Sequence, residues 1–199
     1  MIFSLAILGI VLAYTWVIDP IAPNWVTPVL VALVLALAIW HAIRKREWGV
    51  APAALLPALW RAAVFTAVAA LGIAIAGSQL GTWHVRRDGW NALLRLIPWG
   101  LGQQFALHTV FLPESQATVG RTAGILVAAT LFAALHLPNP FLTAMTFMGA
   151  LAWCWIYDRH SNLLPLAVSH AMLTLAILYA FDEAVTGRLR VGLAYLGRG

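Results

Sequence analysis

The chain has few charged residues and almost no cysteine. It holds 7 acidic and 12 basic side chains, so charged residues make up 10% of its 199 positions, whereas soluble domains average about 25%. A water-soluble globule with this composition would lack the polar side chains needed to cover its surface, and an intrinsically disordered chain is excluded as well. The single cysteine, Cys154, excludes an internal disulfide framework.

Apolar residues are what the sequence has in excess. Hydrophobic side chains make up 62% of the chain and the mean hydropathy is +0.87. At about 20 residues a span, this composition predicts an all-α, polytopic transmembrane helix bundle with about seven to eight membrane helices, forming a single integral membrane domain over residues 1–199. The basic side chains, which give the chain a net charge of +5, lie between apolar runs. This placement favours the headgroups of a lipid bilayer as partner over nucleic acid. We expect a multi-pass protein of a bacterial-type cell membrane.

Seven apolar runs predict the membrane helices. They cover residues 2–18, 28–43, 58–76, 96–112, 122–136, 141–157 and 163–181. The first run lacks a basic start and a small-residue cleavage site, so we expect an uncleaved helix. Trp90, Leu93, Leu94 and Ile97 recur at helical spacing, which predicts an amphipathic helix in the membrane interface within the polar stretch of Arg86 and Arg87. Residues 113–121 are predicted to form a loop, and the tail a short surface helix.

Polar side chains within apolar spans usually face the bundle interior and mark function. Three spans carry them, and the candidates are Gln103, Gln104, His108, His136, His170 and Thr174. Three histidines on three spans predict one shared pocket. Alternatively, each side chain only hydrogen-bonds a neighbouring helix, which contributes about 0.6 kcal/mol. The other histidines, His41, His84 and His160, lie at span edges or in loops and are predicted to be solvated.

The order of these residues resembles the CAAX prenyl protease and bacteriocin-processing (Abi) family. Members of this family are all-helical intramembrane proteases of the glutamic type, with the motifs Glu-Glu-x-x-x-Arg, Phe-x-x-x-His and His-x-x-x-Asn/Asp. The resemblance covers about residues 95–180. Phe132 to His136 matches the second motif, with Asn139 as a frequent extension, and the run 162–170 looks like the approach to the third motif.

The chain also departs from the family pattern. Gln103 and Gln104 stand in place of the two glutamates, His108 in place of arginine, and Thr174 in place of the final Asn or Asp. The resemblance implies that a glutamate takes a proton from water while histidine and asparagine support the oxyanion. An amide cannot act as a base, and loss of a general base typically lowers a rate by about 10²–10⁴-fold. His108 is a better replacement base than Glu114, since imidazole titrates near neutrality.

Three functions therefore compete, and the sequence favours the first of them, an intramembrane protease with an atypical active site. The retained histidines favour a divergent intramembrane endopeptidase that acts on a membrane protein or a prenylated or other peptide substrate. The paired glutamines favour an inactive pseudoprotease that binds or escorts a membrane partner or a lipidic ligand. A third hypothesis is a metal or cofactor site for zinc or iron at His108, His136 and His170, although the chain has no HExxH motif.

Overall fold

A computed structural model describes residues 1–19, 21–85 and 88–197 of the chain. Within these ranges the regular structure is helical, apart from an isolated antiparallel bridge between Val50 and Asn162. The prediction of an all-α fold is therefore confirmed.

The α-helices are α1 (Ile2–Ala13), α2 (Val26–Lys45), α3 (Leu55–Gln79), α4 (Gly89–Ala106), α5 (Leu112–Val119), α6 (Arg121–Ala134), α7 (Pro140–Arg159), α8 (Leu164–Ala180), α9 (Glu183–Thr186) and α10 (Gly192–Tyr195). Several of them, such as α2, α3 and α7, follow the apolar runs to within a few residues. Turns of π-helix cover Tyr14–Ile18 and Leu107–Phe111, and 3₁₀ turns cover Pro52–Ala54 and Gly187–Leu189.

Three stretches are long and apolar enough to cross a membrane. These are Val26–Lys45, Pro52–Gln79 and Pro140–Arg159, and shorter apolar helices cover Ile2–Ile18, Arg121–Ala134 and Leu164–Ala180. This set of helices is consistent with an integral, multi-pass membrane protein.

Two local predictions are wrong. Residues 113–121 are mostly helix α5 and not a loop, because Pro113 occupies the first helical turn, where a missing N–H breaks no hydrogen bond. The amphipathic segment and the fourth span form one helix, α4, which begins at Gly89 and continues through Pro98. Trp90 and Leu94 are exposed on it. Arg86 and Arg87, which belong to the same polar stretch, lie outside the described residues.

The chain divides into two compact units. The first comprises residues 1–48, 106–154 and 189–199. All five residues of its second π-helical turn, Leu107–Phe111, are buried. A Cβ at Gly124 of α6 would lie 2.6 Å from the backbone of Gln116 in α5, so glycine lets these two helices approach closely.

The second unit comprises residues 49–105 and 155–188. Its helices α3 and α8 pack through small residues, since a Cβ at Gly77 would overlap the carbonyl oxygen of Ala180. The hydroxyls of Thr66 and Ser169 share a buried hydrogen bond of 2.6 Å between the two helices. Small side chains and interhelical hydrogen bonds are the usual means of packing helices in lipid. This contact fixes the face of α8 that carries Ser169, next to His170.

Candidate functional site

Gln104 and His170 form a buried polar pair in the second unit. The Gln104 side chain is fully buried on α4, and His170 on α8 is 7% exposed. The amide nitrogen Nε2 of Gln104 lies 3.1 Å from Nδ1 of His170. An amide nitrogen only donates, so Nδ1 of His170 accepts, and the neutral ring carries its proton on Nε2. Two of the residues predicted for the site therefore meet as an uncharged pair.

A glycine one turn before Gln104 makes this contact possible. A Cβ at Gly100 would lie 3.0 Å from the carbonyl oxygen of Ala167 and 3.5 Å from Cβ of His170. Positions four apart share a helix face, so Gly100 brings the face that carries Gln104 against α8.

The glutamine oxygens are buried acceptors. Among the described residues, Oε1 of Gln103 and Oε1 of Gln104 have no hydrogen-bond partner. A buried polar atom left in this state costs roughly 1–3 kcal/mol. Thr174, one turn beyond His170, is half-buried. This part of the site thus presents amide acceptors where the family pattern has carboxylates.

The other two predicted histidines belong to the first unit. His108 lies in the π-helical turn Leu107–Phe111 and is 1% exposed. Such turns occur frequently at functional sites. Nδ1 of His136 lies 3.0 Å from the carbonyl oxygen of Phe132, so Nδ1 donates and Nε2 is left as the acceptor nitrogen. The rings of Phe132 and His136 also pack edge to face.

Asn139, in the segment after α6, makes a hydrogen bond to Arg190 in the last segment of the first unit. Its Oδ1 accepts a hydrogen bond of 3.0 Å from the N–H of Leu142 in the first turn of α7. Its Nδ2 donates to the carbonyl oxygen of Arg190 at 3.1 Å. The side chain is fully buried, and it acts as the N-terminal cap of α7.

Comparison with known families supports the sequence-based resemblance. Residues 89–176 match the family model described as type II CAAX prenyl endopeptidase, Rce1-like. This chain carries an Rce1-like domain. The domain runs from α4 into α8 and contains all six residues predicted for the site. The resemblance predicted from the motifs is therefore confirmed. No curated protein and no solved structure gives a significant match to the chain.

The metal hypothesis gains no support from the Rce1-like domain. Over residues 1–19, 21–85 and 88–197, no group of three or more His, Cys, Asp or Glu side chains is placed to hold a metal ion.

Glu114, weighed from the sequence as a replacement base, has a structural role outside the glutamine pair. Its carboxylate on α5 accepts hydrogen bonds from the backbone N–H of Ser4 at 2.8 Å, the Ser4 hydroxyl at 2.7 Å and the N–H of Phe3 at 3.3 Å. These donors belong to the first turn of α1, where a negative charge is favourable. Burial raises the pKa of Glu114, but these hydrogen bonds and the N-terminal ammonium outweigh burial and leave the pKa below its usual value.

His41 is the residue that sequence reasoning placed wrongly. It was predicted to be solvated at a span edge, yet its side chain is 3% exposed, with Nε2 3.8 Å from Oε1 of Glu114. Its ring packs against that of Phe3, with 5.1 Å between centroids. No local pattern could have revealed this contact, because α1, α2 and α5 are far apart in the sequence.

Proposed function

We propose that the Rce1-like domain binds a membrane-embedded peptide segment, such as the end of a prenylated protein, without carboxylate-driven hydrolysis. The observation that carries this proposal is the hydrogen bond from the Gln104 amide to Nδ1 of His170. The substrate class follows from the family description, type II CAAX prenyl endopeptidase.

The chemistry of the pair argues against the family reaction. A glutamate at position 104 would supply a base for water, whereas an amide only donates and accepts hydrogen bonds. The carboxylate of Glu114 already accepts three hydrogen bonds from Phe3 and Ser4 in α1. Loss of the general base alone lowers a rate by roughly 10²–10⁴-fold.

The same amides are suited to binding a peptide. An extended peptide in a membrane has backbone N–H groups that must find acceptors, because lipid offers none. The buried oxygens of Gln103 and Gln104 are acceptors of this kind. A peptide N–H group that donates to one of these oxygens would remove the energetic cost of leaving that N–H and that oxygen without a hydrogen bond.

A histidine-based endopeptidase is the second candidate. The hydrogen bond from Nδ1 of His136 to Phe132 fixes the ring so that Nε2 carries a lone pair, as a general base requires. In this reading His136, or His108 as inferred from its motif position, replaces glutamate, and the substrate is again a membrane protein or a lipidated peptide.

The membrane arrangement forms part of the proposal. We propose that the three long apolar stretches, the three shorter apolar helices and α4 each cross the bilayer, which gives seven spans. The seven apolar runs of the sequence support this number.

One assay separates the two functions. The purified protein in nanodiscs is incubated with a fluorescent prenylated peptide. Binding is measured by fluorescence anisotropy and cleavage by mass spectrometry. We expect saturable binding without turnover, weaker binding by Gln104→Leu, and measurable turnover by the double variant Gln103→Glu/Gln104→Glu. A matched control is Gln116→Leu, which removes a glutamine of α5, outside the pair.

The outcomes are distinct. Cleavage by the unmodified protein that is lost in His136→Ala would replace the binding proposal with the histidine-based endopeptidase. Binding equal in the unmodified protein and in Gln104→Leu would remove the amide pair from the site. Absence of both binding and cleavage for prenylated and unmodified peptides would refute both functions.

A further inference from the structure

In the second unit, the start of α3 and the loop after α7 are tied together at one edge. The N–H of Leu163 donates to the carbonyl oxygen of Gly49 at 2.8 Å, and the N–H of Ala51 donates to that of Ser161 at 3.0 Å. Nδ2 of Asn162 adds a hydrogen bond of 3.1 Å to the carbonyl oxygen of Ala51. These bonds hold the ends of two apolar helices at the same level.

Two exposed arginines from different helices lie near this edge. Thr66 and Gly77 of α3 contact Ser169 and Ala180 of α8, each 103 positions later, so Arg61 is level with Leu164 at the start of α8. Arg61 is about 9 Å along α3 from Leu55 at 1.5 Å per residue, and its Nη1 donates back to the carbonyl oxygen of Pro57 at 3.3 Å. Arg159 ends α7, and its guanidinium stacks over the ring of Trp155 at 4.1 Å. The Arg61 side chain turns towards the start of α3, which is typical of snorkelling to a membrane interface. The Arg159 side chain folds back by one turn instead, and its Nη1 donates to the carbonyl oxygen of Trp155 at 3.1 Å.

The two guanidinium charges act on one histidine. Partial burial, and then the positive charges of Arg61 and Arg159, lower the pKa of His160. Both cations therefore contribute to the potential at a single position. The carboxylate of Asp158 lies 3.8 Å from Nη1 of Arg159. That carboxylate is only 8% exposed, whereas the Arg159 side chain is 43% exposed and faces outward.

Exposed tryptophans place this edge at the level of lipid headgroups. Trp60, beside Arg61, is 70% exposed and Trp155 is 46% exposed. Tryptophan is enriched where the hydrocarbon core meets the headgroups, and guanidinium groups bind phosphate through paired N–H donors. We propose that Arg61, Arg159 and His160 form a binding site for the phosphate of an anionic phospholipid. Trp60 and Trp155 favour a lipid over free phosphate, because they offer apolar surface to the rest of the molecule.

Titration with short-chain lipids tests this site. The full chain in a neutral detergent is titrated with dioctanoyl phosphatidylglycerol or dioctanoyl phosphatidylcholine, and bound lipid is counted by native mass spectrometry. We expect phosphatidylglycerol to bind more tightly, and Arg61→Gln/Arg159→Gln to bind it about 30-fold more weakly, as expected for the loss of two interfacial cations. Arg61→Lys/Arg159→Lys, which keeps both charges, should fall in between.

The matched control removes two other exposed cations. Arg95→Gln/Arg188→Gln has the same net charge as Arg61→Gln/Arg159→Gln. In the native chain, Arg95 pairs with Asp88 and Arg188 pairs with Glu183. The control should keep the native affinity for phosphatidylglycerol. Equal loss in the control, or no loss in Arg61→Gln/Arg159→Gln, would refute the site. Displacement of the lipid by millimolar inorganic phosphate would identify a free-anion site and overturn the assignment to a lipid.

Discussion

The side-chain amide of Gln104 donates to Nδ1 of His170 over 3.1 Å, and this bond determines which nitrogen of the imidazole carries the proton. With Nδ1 accepting, the proton lies on Nε2. A glutamate at position 104 would accept instead of donate, so the family pattern and this chain require opposite polarities at Nδ1. The exchange of Glu for Gln therefore changes the state of the histidine as well as removing a base.

A reversal of the ring tautomer is the first prediction. Gln104→Glu places an acceptor opposite Nδ1 of His170, so the ring must donate from Nδ1. Nitrogen NMR of histidine-labelled protein should show His170 protonated on Nε2 alone in the native chain and protonated on Nδ1 in the variant. Gln104→Leu is the control for loss of the bond without reversal. An unchanged Nε2 tautomer in Gln104→Glu would contradict the assigned hydrogen bond.

The close approach at Gly100 supports a prediction about stability. Gly100→Ala inserts a Cβ 3.0 Å from the carbonyl oxygen of Ala167, so α4 must move away from α8. We expect the free energy of unfolding in detergent micelles to fall by about 1–3 kcal/mol, with weaker contact between Gln104 and His170. Gly72→Ala in α3 is the control, because a Cβ there meets nothing within 4 Å. That change should stabilise by roughly 0.5–1 kcal/mol.

Glu114 gives a prediction with a defined pH range. Because its pKa in the folded chain is below the usual value of 4.5, the ionised carboxylate stabilises the fold above about pH 4.5. This contribution is lost as the pH falls through the lower pKa of the folded state. Glu114→Gln should lower the free energy of unfolding by about 1–3 kcal/mol at pH 7.

The difference between Glu114→Gln and the native chain should shrink as the pH is lowered below 4.5. Denaturant unfolding at a series of pH values measures it. The control is Glu183→Gln, since Glu183 is 70% exposed and surface changes usually stay within about 0.5 kcal/mol. A difference that grows at acid pH would mean that the carboxylate does not stabilise α1 in its ionised form.

Substitutions at Asn139 distinguish the contribution of its cap on α7 from that of its hydrogen bond to Arg190. Asn139→Asp keeps an oxygen for the N–H of Leu142 but loses the donor to Arg190, whereas Asn139→Ala loses both. We expect a loss of about 1 kcal/mol for the cap alone, so the alanine variant should be the less stable of the two. Thermal unfolding of both variants checks the order, and an aspartate variant as unstable as alanine would assign the effect to the bond with Arg190.

The helices and the chemistry of the glutamines could be predicted from the sequence. Apolar runs of suitable length defined α2, α3 and α7 to within a few residues, because a helix satisfies its backbone hydrogen bonds locally wherever the side chains suit lipid. The motif spacing identified Phe132 and His136 because the two residues are four positions apart, so their contact is local and spans a single turn.

Contacts between distant segments could not be predicted. The helical continuation through residues 112–119 was missed because a proline in the first turn looks, in sequence, like the proline of a loop. The burial of His41 depends on α1 and α5, and its hydropathy pattern alone resembles that of a solvated helix end.

The sequence by itself determined an all-α membrane chain with amides where the family that it resembles has acids, because composition and residue identity are independent of packing. Only the tertiary structure decided that Gln104 meets His170 and that Glu114 holds the start of α1. Both contacts join residues more than 60 positions apart, and such pairs are set by how helices pack against one another, through the fit of residues such as Gly100.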